Sequence, residues 1–515
     1  MYKAILKISA LIFLFISVNS VSAQKEKQED QRPNIVFIMS DDHAYQAISA
    51  YGYGLNHTPN IDRLAKEGML FNRAFVNNSL CAPSRAAILT GKYSHMNGIK
   101  GNGDEVFDGS QNTFPKLLRA AGYQTALIGK WHLVSAPTGF DYWNILRGQG
   151  DYYNPDFIDS TGKKRIEGYV TDLTTDKAIN WLNKRNTKQP FCLLVWNKAP
   201  HRNWMPALKY LHEFDSVQIP VPVTFFDDYS TRTKAAYEQQ MAIAKWLTPN
   251  YDLKENFVVS NPYESLDANW KNIFGRLNAE EQQAFIKAYS PGNDAFKRAD
   301  LSGRELAIWK YQRYMKDYLR TIQSVDDNVG RMLDYLKENG LDKNTIVIYS
   351  SDQGFYLGEH GWFDKRFMYE QSFRTPLLVK WPNVIKPGSI NNDLVMNLDI
   401  PETLLQAAHV KIPAEMQGES MLSLWKANTP VDWRKYVYYH YYESGGEHNV
   451  AKHVGIRSER YKLINFYENN DWELYDLKKD TSELNNIYGD PAYQKIQASL
   501  KNELRLQMEK YKDHL

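Results

Sequence analysis

Four apolar runs punctuate the chain, and each stops abruptly at polar residues. Asn34-Ile35-Val36-Phe37-Ile38-Met39 gives way to Ser40-Asp41-Asp42, and the run over 123–128 to Gly129-Lys130-Trp131-His132. The run over 191–196 gives way to the segment ending Lys198-Ala199-Pro200-His201, and that over 345–350 to Ser351-Asp352-Gln353-Gly354. Continuous runs of this length, without alternation, predict strands buried on both faces, as in a central parallel sheet. Between them the spacing predicts helices over 58–68, with Pro59 near its start, over 114–122, with glycine at its end, over 172–184 and over 305–339. A shorter helix over 85–90 follows a polar loop that carries Cys81, and a strand over 376–381 precedes a helix over 399–408. Residues 203–304 break the pattern: they are polar, aromatic and helical in patches, and read as an insertion covering one end of the sheet. The last unit, 426–515, combines a strand-like run at 437–442 with a closing helix over 491–511. The expected fold class is therefore α/β: a large, mostly parallel sheet sandwiched by helices across 33–425, with a smaller C-terminal α+β subdomain. Ligands in such sheets bind beyond the carboxyl ends of the strands. The four polar groups should thus meet at one edge although they lie far apart in sequence.

Bulk properties narrow the choice. At 515 residues the chain has room for one large domain and one small one. A net charge of +2 supplies no concentrated basic face for nucleic acid. Aromatic residues at 13% suit either stacking on sugar rings or a well-filled core, and composition favours the core. The first residues carry lysines at 3 and 7, an apolar run over 10–18 and the small-residue end Val21-Ser22-Ala23. This pattern predicts a signal peptide cleaved after Ala23 and an exported, periplasmic or secreted protein, with a flexible charged tail over 24–32. The apolar run is too short for a good membrane span, and no later stretch is long enough to be one. An exported chain can form disulfides, yet it has two cysteines. Cys192 sits in an apolar strand and reads as a small core hydrophobe. Cys81, in its polar loop, asks for a chemical explanation.

Asp41, Asp42, Asp352 and Gln353 offer oxygen alone, the donor that Ca²⁺ prefers. Singly, each pair also reads as a turn or a helix cap; two pairs, each after a buried strand, favour a metal. The segment Cys81-Ala82-Pro83-Ser84-Arg85, followed by a short helix ending in Thr90-Gly91, resembles the signature of the formylglycine-dependent (type I) sulfatases, of the alkaline-phosphatase-like superfamily. Their pattern is Cys or Ser-x-Pro-x-Arg, and the resemblance runs from Asn34 to the tail. It implies that a separate maturation enzyme oxidises Cys81 to formylglycine, whose hydrate attacks the sulfur of a sulfate ester. It implies one Ca²⁺ held by Asp41, Asp42, Asp352, Gln353 and residue 81, with Gln353 where the family often has Asn. Arg85, Lys130 and His132 would flank the nucleophile, and His201 and Lys365 would face the sulfate and the leaving oxygen.

The segments 359–374 and 473–486 resemble sulfatases of polysaccharide-degrading bacteria. That resemblance implies a sulfated polysaccharide or oligosaccharide as substrate: glucosamine 6-sulfate in glycosaminoglycan or mucin, or an algal polymer such as ulvan. Asp364 and Arg366, beside Lys365, are candidate sugar contacts. His448, His453 and Arg457 are candidates too, read equally well as surface-loop residues. His43, His57, His95 and His409 are left as turn or core residues. The alternatives are a formylglycine-dependent phosphodiesterase or phosphonate monoester hydrolase, and a catalytically silent carbohydrate-binding homologue.

Overall fold

The four apolar runs lie side by side. In the computed structural model, which describes residues 32–103, 105–257 and 265–515, ten strands matter most here. They are β1 (Asn34–Ser40), β2 (Gln124–Lys130), β3 (Tyr142–Leu146), β4 (Phe191–Trp196), β5 (Thr345–Ser351), β6 (Leu377–Lys380), β7 (Val437–Tyr441), β8 (His453–Arg457), β9 (Tyr461–Phe466) and β10 (Asp471–Asp476). The expected signal peptide, and all of the expected tail but Arg32, lie outside the described residues.

The main sheet has the order Ser389–Asn391, Met69–Phe71, β6, β5, β1, β4, β2, β3, Asp156–Asp159, Gly162–Arg165. Its centre, β5-β1-β4-β2-β3, is parallel throughout. The strand expected over 376–381 is there as β6, but it runs antiparallel to β5. Register aligns the strand ends: Met39 lies opposite both Trp196 and Ser350, and Gly129 opposite Trp196. The polar residues that follow β1, β2, β4 and β5 therefore leave the sheet at one edge.

Of the helices among the described residues, eight matter here: α1 (Pro59–Glu67), α2 (Cys81–Thr90), α3 (Phe114–Ala120), α4 (Val170–Lys184), α5 (Ala279–Ala299), α6 (Gly303–Glu338), α7 (Asp399–Ala407) and α8 (Gln494–Tyr511). Alternate residues of each central strand enter two separate cores. Ile35, Phe37, Cys192, Leu194, Trp196, Ile346 and Ile348 pack against Ala86 and Leu89 of α2, Leu118 of α3 and Leu404 of α7. Val36, Ile38, Leu193, Val195, Val347 and Tyr349 pack against Ile61 of α1, Leu182 of α4 and Val329 of α6. Cys192 is fully buried and fills the core as expected.

Helix α6 spans 36 residues, about 54 Å at 1.5 Å per residue. Its C-terminal half belongs to the second core; its N-terminal half, with Tyr311, Tyr314 and Tyr318, packs on Trp204, Phe355 and Phe363 beside the sheet edge. The antiparallel meander β7-β8-β9-β10 packs with α8 against Tyr356, Trp362 and Phe367 to Phe373. The aromatic wealth goes mostly inward: Trp196, Trp204, Trp270, Trp362 and Trp425 are fully buried.

Candidate active site

Cys81 does not sit in a loop, as its sequence suggested, but opens α2. Pro83 masks the start of that helix in a sequence reading, yet a proline in the first turn removes only an N–H that has no partner within the helix. Gly91 ends α2 with φ +65°, a conformation in which a side chain would be strained, and an added Cβ would lie 2.6 Å from Glu402 Oε1. The whole helix is buried, so the Cys81 and Arg85 side chains are fixed in place.

The strand ends deliver the rest. Cys81 Sγ lies 3.1 Å from Asp41 Oδ1, after β1. Ligand atoms of Asp41, Asp42, Cys81 and Asp352 all fall within 4.8 Å of one another. The Asp42 N–H donates to Asp352 Oδ1 (3.1 Å), tying the β1 and β5 ends together. From α6, the Tyr318 hydroxyl donates to the Asp42 carbonyl (2.7 Å) and accepts from Ala44 N–H (2.8 Å). Arg85 donates through Nε and Nη2 to Asp352 Oδ2 (3.1 and 2.8 Å) and through Nη1 to the Lys130 carbonyl (2.7 Å). Lys130 Nζ, from the end of β2, bonds Asp41 and Gln149. Gln149 also lies 3.2 Å from His132 Nε2. Lys365 Nζ is 2.7 Å from both Asp42 oxygens and 3.6 Å from Cys81 Sγ. His201 places Nε2 3.8 Å from Asp42 Oδ2, while its Nδ1 bonds the Arg202 carbonyl (2.6 Å), which leaves Nε2 turned to the cluster.

Electrostatics follow from burial. Asp41, Asp42 and Asp352 have no solvent exposure. Burial, then the other carboxylates, push Asp42 up to about 7 and Asp352 up to about 6, against Lys365 and Arg85 respectively. Burial also opposes the charge on Asp41, but Lys130, His201 and Arg85 hold it well below the usual carboxylate range. Burial and Asp41 push the Cys81 thiol well above its ordinary value, so the unmodified residue is a poor nucleophile. Burial and Lys130 hold both His132 and His201 well below the usual imidazole value.

The residues present fit a hard divalent cation. Gln353 Nε2 faces Asp42, with Cys81 Sγ at 3.7 Å, while its Oε1 is buried with no hydrogen-bond partner among the described residues. Turning that amide over would present an oxygen to the carboxylate cluster. Three buried carboxylates also stand against three cations, Arg85, Lys130 and Lys365, which leaves no surplus positive charge to receive an anionic substrate.

A second cluster adjoins the first. Arg366 bonds Asp364 and, through Nη2, Glu447 (3.2 Å). His448 Nε2 lies 3.3 Å from Asp364 Oδ2, and Arg202 is 3.5 Å from Glu447. Five residues of the two clusters hold positive φ without being glycine: Asp42 (64°), His132 (58°), Asp364 (76°), Arg366 (93°) and His448 (69°). Such backbone costs of order 1–3 kcal/mol each and persists where surrounding structure imposes it, characteristically at ligand sites.

Two expected contacts are not brought here. His453 and Arg457 lie on the face of β8 that the Phe367–Glu370 stretch roofs over. His453 Nε2 accepts from Met368 N–H (3.2 Å), its ring stacks on Tyr439 and Tyr441, and burial lowers it to about 3. Arg457 pairs with Glu370 (3.2 Å) over the Phe75 ring. Both are core residues of the C-terminal unit and not the surface-loop residues that sequence also allowed. Sequence reading missed Gln149 and Glu447. Gln149 follows β3, a five-residue strand whose apolar run is broken by Asn144, and Glu447 is the neighbour of the candidate His448.

A family model described as sulfatase matches residues 33–410, and one described as N-sulphoglucosamine sulphohydrolase, C-terminal, matches residues 358–510. The chain belongs to the sulfatase family. It is 49% identical to an N-acetylglucosamine-6-O-sulfatase of Bacteroides thetaiotaomicron over 499 residues, covering 96% of this chain and 89% of that protein. An N-acetylglucosamine-6-sulfatase of Homo sapiens is 28% identical, over 81% of this chain and 68% of that protein. A solved structure of a protein in complex with its substrate D-glucosamine-2-N,6-O-disulfate superposes with a TM-score of 0.91 at 48% identity, covering 93% of this chain and 98% of that one. The sulfatase is a sulfuric ester hydrolase with the expected α/β fold. Family members are generally formylglycine- and metal-dependent, and the acidic cluster around Cys81 matches that chemistry. No helix among the described residues is long and apolar enough to cross a membrane.

Proposed function

We propose that this sulfatase removes the 6-O-sulfate from glucosamine or N-acetylglucosamine units of a sulfated saccharide, such as a glycosaminoglycan or mucin fragment, using a formylglycine made from Cys81 by a maturation enzyme. The observation that carries the chemistry is Cys81 at the start of buried α2, 3.1 Å from Asp41 and within reach of Arg85, Lys130 and Lys365. The relatives carry the choice of sugar: two N-acetylglucosamine-6-sulfatases and a complex with a 6-O-sulfated glucosamine.

Asp41, Asp42, Asp352 and Gln353, with residue 81, would hold one Ca²⁺, which supplies positive charge to an anionic ester. A hydrated formylglycine supplies two hydroxyls, one to attack sulfur and one through which sulfate is later expelled, an exit that serine lacks. Around it Arg85 and Lys130 fix the nucleophile, and Lys365 stabilises charge on the sulfate; each charge-assisted hydrogen bond contributes roughly 1.5–3 kcal/mol. His201, whose Nδ1 proton is committed to the Arg202 carbonyl, gives a proton from Nε2 to the departing sugar oxygen as an imidazolium, the form that the bound anionic ester favours by offsetting Lys130, and His132 takes the proton of the second hydroxyl. Asp364, Arg366 and His448, with Glu447, hold sugar hydroxyls. Export to the periplasm or beyond, through the leader at 1–23, suits a polymeric substrate.

The test is sulfate release from N-acetylglucosamine 6-sulfate, beside a phosphate diester, by the native protein and by Cys81→Ala. Turnover of the sulfate ester alone, abolished in a folded variant, is expected. Normal activity in Cys81→Ala, or an unmodified thiol at residue 81 by mass spectrometry of active enzyme, overturns the reading.

A further inference from the structure

Beside His201 opens a cavity of about 260 Å³ whose lining includes Arg147, Gln149, Asp151, Lys198 and Arg202. Its charges are unevenly neutralised. Arg202 is held by Asp252 (2.7 Å), and Asp151 by Arg276 (3.2 Å). Lys198 is different. It is only 4% exposed, yet among the described residues its ammonium makes no hydrogen bond or ion pair and merely rests over the Tyr152 ring at 4.8 Å. A buried, unpaired ammonium is costly unless a partner arrives. Arg147, exposed at the same cavity, adds a second cation whose side chain has no ion pair among the described residues. Lys198 lies three residues before His201, and the His201 N–H donates to its carbonyl (3.0 Å), so the free ammonium and the leaving-group histidine are held in one turn.

We propose that this cavity, with Lys198 as its buried cation and Arg147 at its rim, is a subsite for a second anionic group of the substrate, beyond the sulfate that is cleaved. The inference rests on the glucosamine 6-sulfate reading above. The ligand chemistry is a sulfate or carboxylate oxygen set, from either of two sources: an N-sulfate on the sugar being desulfated, or the carboxylate of an adjoining uronic acid. The larger cavity of about 730 Å³ between α5 and α6 lies away from the two clusters and is not part of the proposal.

The experiment compares wild type, Lys198→Met, Lys198→Arg and Arg147→Gln on three substrates: N-acetylglucosamine 6-sulfate, glucosamine 2-N,6-O-disulfate, and a 6-sulfated N-acetylglucosamine joined to a uronic acid. Wild type is expected to favour one doubly anionic substrate through a lower KM. In Lys198→Met that preference in kcat/KM falls about tenfold or more, carried by KM, whereas Lys198→Arg restores most of it and Arg147→Gln loses less. The substrate that loses its advantage identifies the source of the anion. A fall by the same factor on all three substrates, or no fall on any, overturns the subsite. Wild type that releases no sulfate from the monosulfated sugar overturns the underlying function instead, so the two failures are told apart.

Discussion

Asp41, Asp42 and Asp352 are removed from water within a few ångströms of one another, and three basic side chains are spent in balancing them. A divalent ion at this cluster would couple metal binding to folding. Chelator treatment is accordingly expected to lower the thermal midpoint by a few degrees and abolish sulfate release, both returning with Ca²⁺; circular dichroism melts with and without the ion check this. An unchanged midpoint would deny the cluster a metal. Beside it, Arg366 engages Asp364 and Glu447 with separate guanidinium nitrogens, a fork that a lysine cannot reproduce. Arg366→Lys should therefore cost about 10–100-fold in kcat/KM, roughly 1.4–2.7 kcal/mol, with KM carrying most of it. A shift in kcat alone would mean that the fork serves the reacting sulfate and not the sugar. The oxygen donors of this site were legible from their places after buried strands, and its lysines, histidines and Arg85 through the resemblance carried by Cys81-Ala82-Pro83-Ser84-Arg85. Their backbone was not legible. Nothing in the residue types of Asp364-Lys365-Arg366 announces that two of the three carry positive φ.

The elements explain why distant residues meet. Strand β2 presses against β4 at Gly129, where φ is +107° and an added Cβ would lie 2.0 Å from the Trp196 carbonyl oxygen. Lys130 follows immediately, so the glycine sets where its ammonium emerges. Gly129→Ala is expected to destabilise the enzyme by more than about 3 kcal/mol, through backbone strain and overpacking together, read as a lower denaturation midpoint or loss of soluble protein. Helix α6 contributes from the other side. Tyr318→Phe would leave the Asp42 carbonyl and the Ala44 N–H without their partner, at about 1–3 kcal/mol; the melt should fall and kcat with it, because the loop bearing Asp42 is loosened. Central strands β1, β2, β4 and β5 were readable because burial on both faces fills their middles with apolar side chains, at 35–39, 126–128, 191–196 and 346–349. The last two strands of the sheet, Asp156–Asp159 and the edge strand Gly162–Arg165, were not, since the latter, Gly-Lys-Lys-Arg, is wholly exposed and takes its conformation from its neighbour. In β8, His453 and Arg457 looked like solvent-side residues because their polarity hides a roof, the Phe367–Glu370 stretch, that lies far away in sequence.

On the scale of the molecule, one buried carboxylate fastens the C-terminal meander to the catalytic frame alongside the ties from Arg457 to Glu370 and from His453 to Met368. Asp513 accepts from the hydroxyls of Tyr438 (2.8 Å) and Tyr442 (2.9 Å) and from His440 Nδ1 (2.8 Å). It also lies 3.2 Å from Nδ1 of His95, in the one-turn helix Ser94–Asn97 that follows α2. One side chain thus joins the end of α8, the β7 strand and the neighbourhood of the catalytic helix. Burial opposes its charge, but the hydrogen bonds from His440 and His95, and their positive potential, hold the carboxyl well below the usual range. A carboxyl lowered in the folded state adds stability above its unfolded value, near 3.9, and that stability is lost as pH falls through the folded value. Asp513→Asn should therefore cost about 1–3 kcal/mol at pH 7. The gap between wild type and variant should narrow as pH falls below about 4, because the wild-type advantage is titrated away while the variant has none to lose. Urea unfolding of both proteins at pH 7, 5 and 3.5 measures the gap directly. If it widens toward acid, the carboxylate is not the fastening; if it narrows while sulfate release by the variant also falls at pH 7, the closing segment supports the active site through the His95 turn.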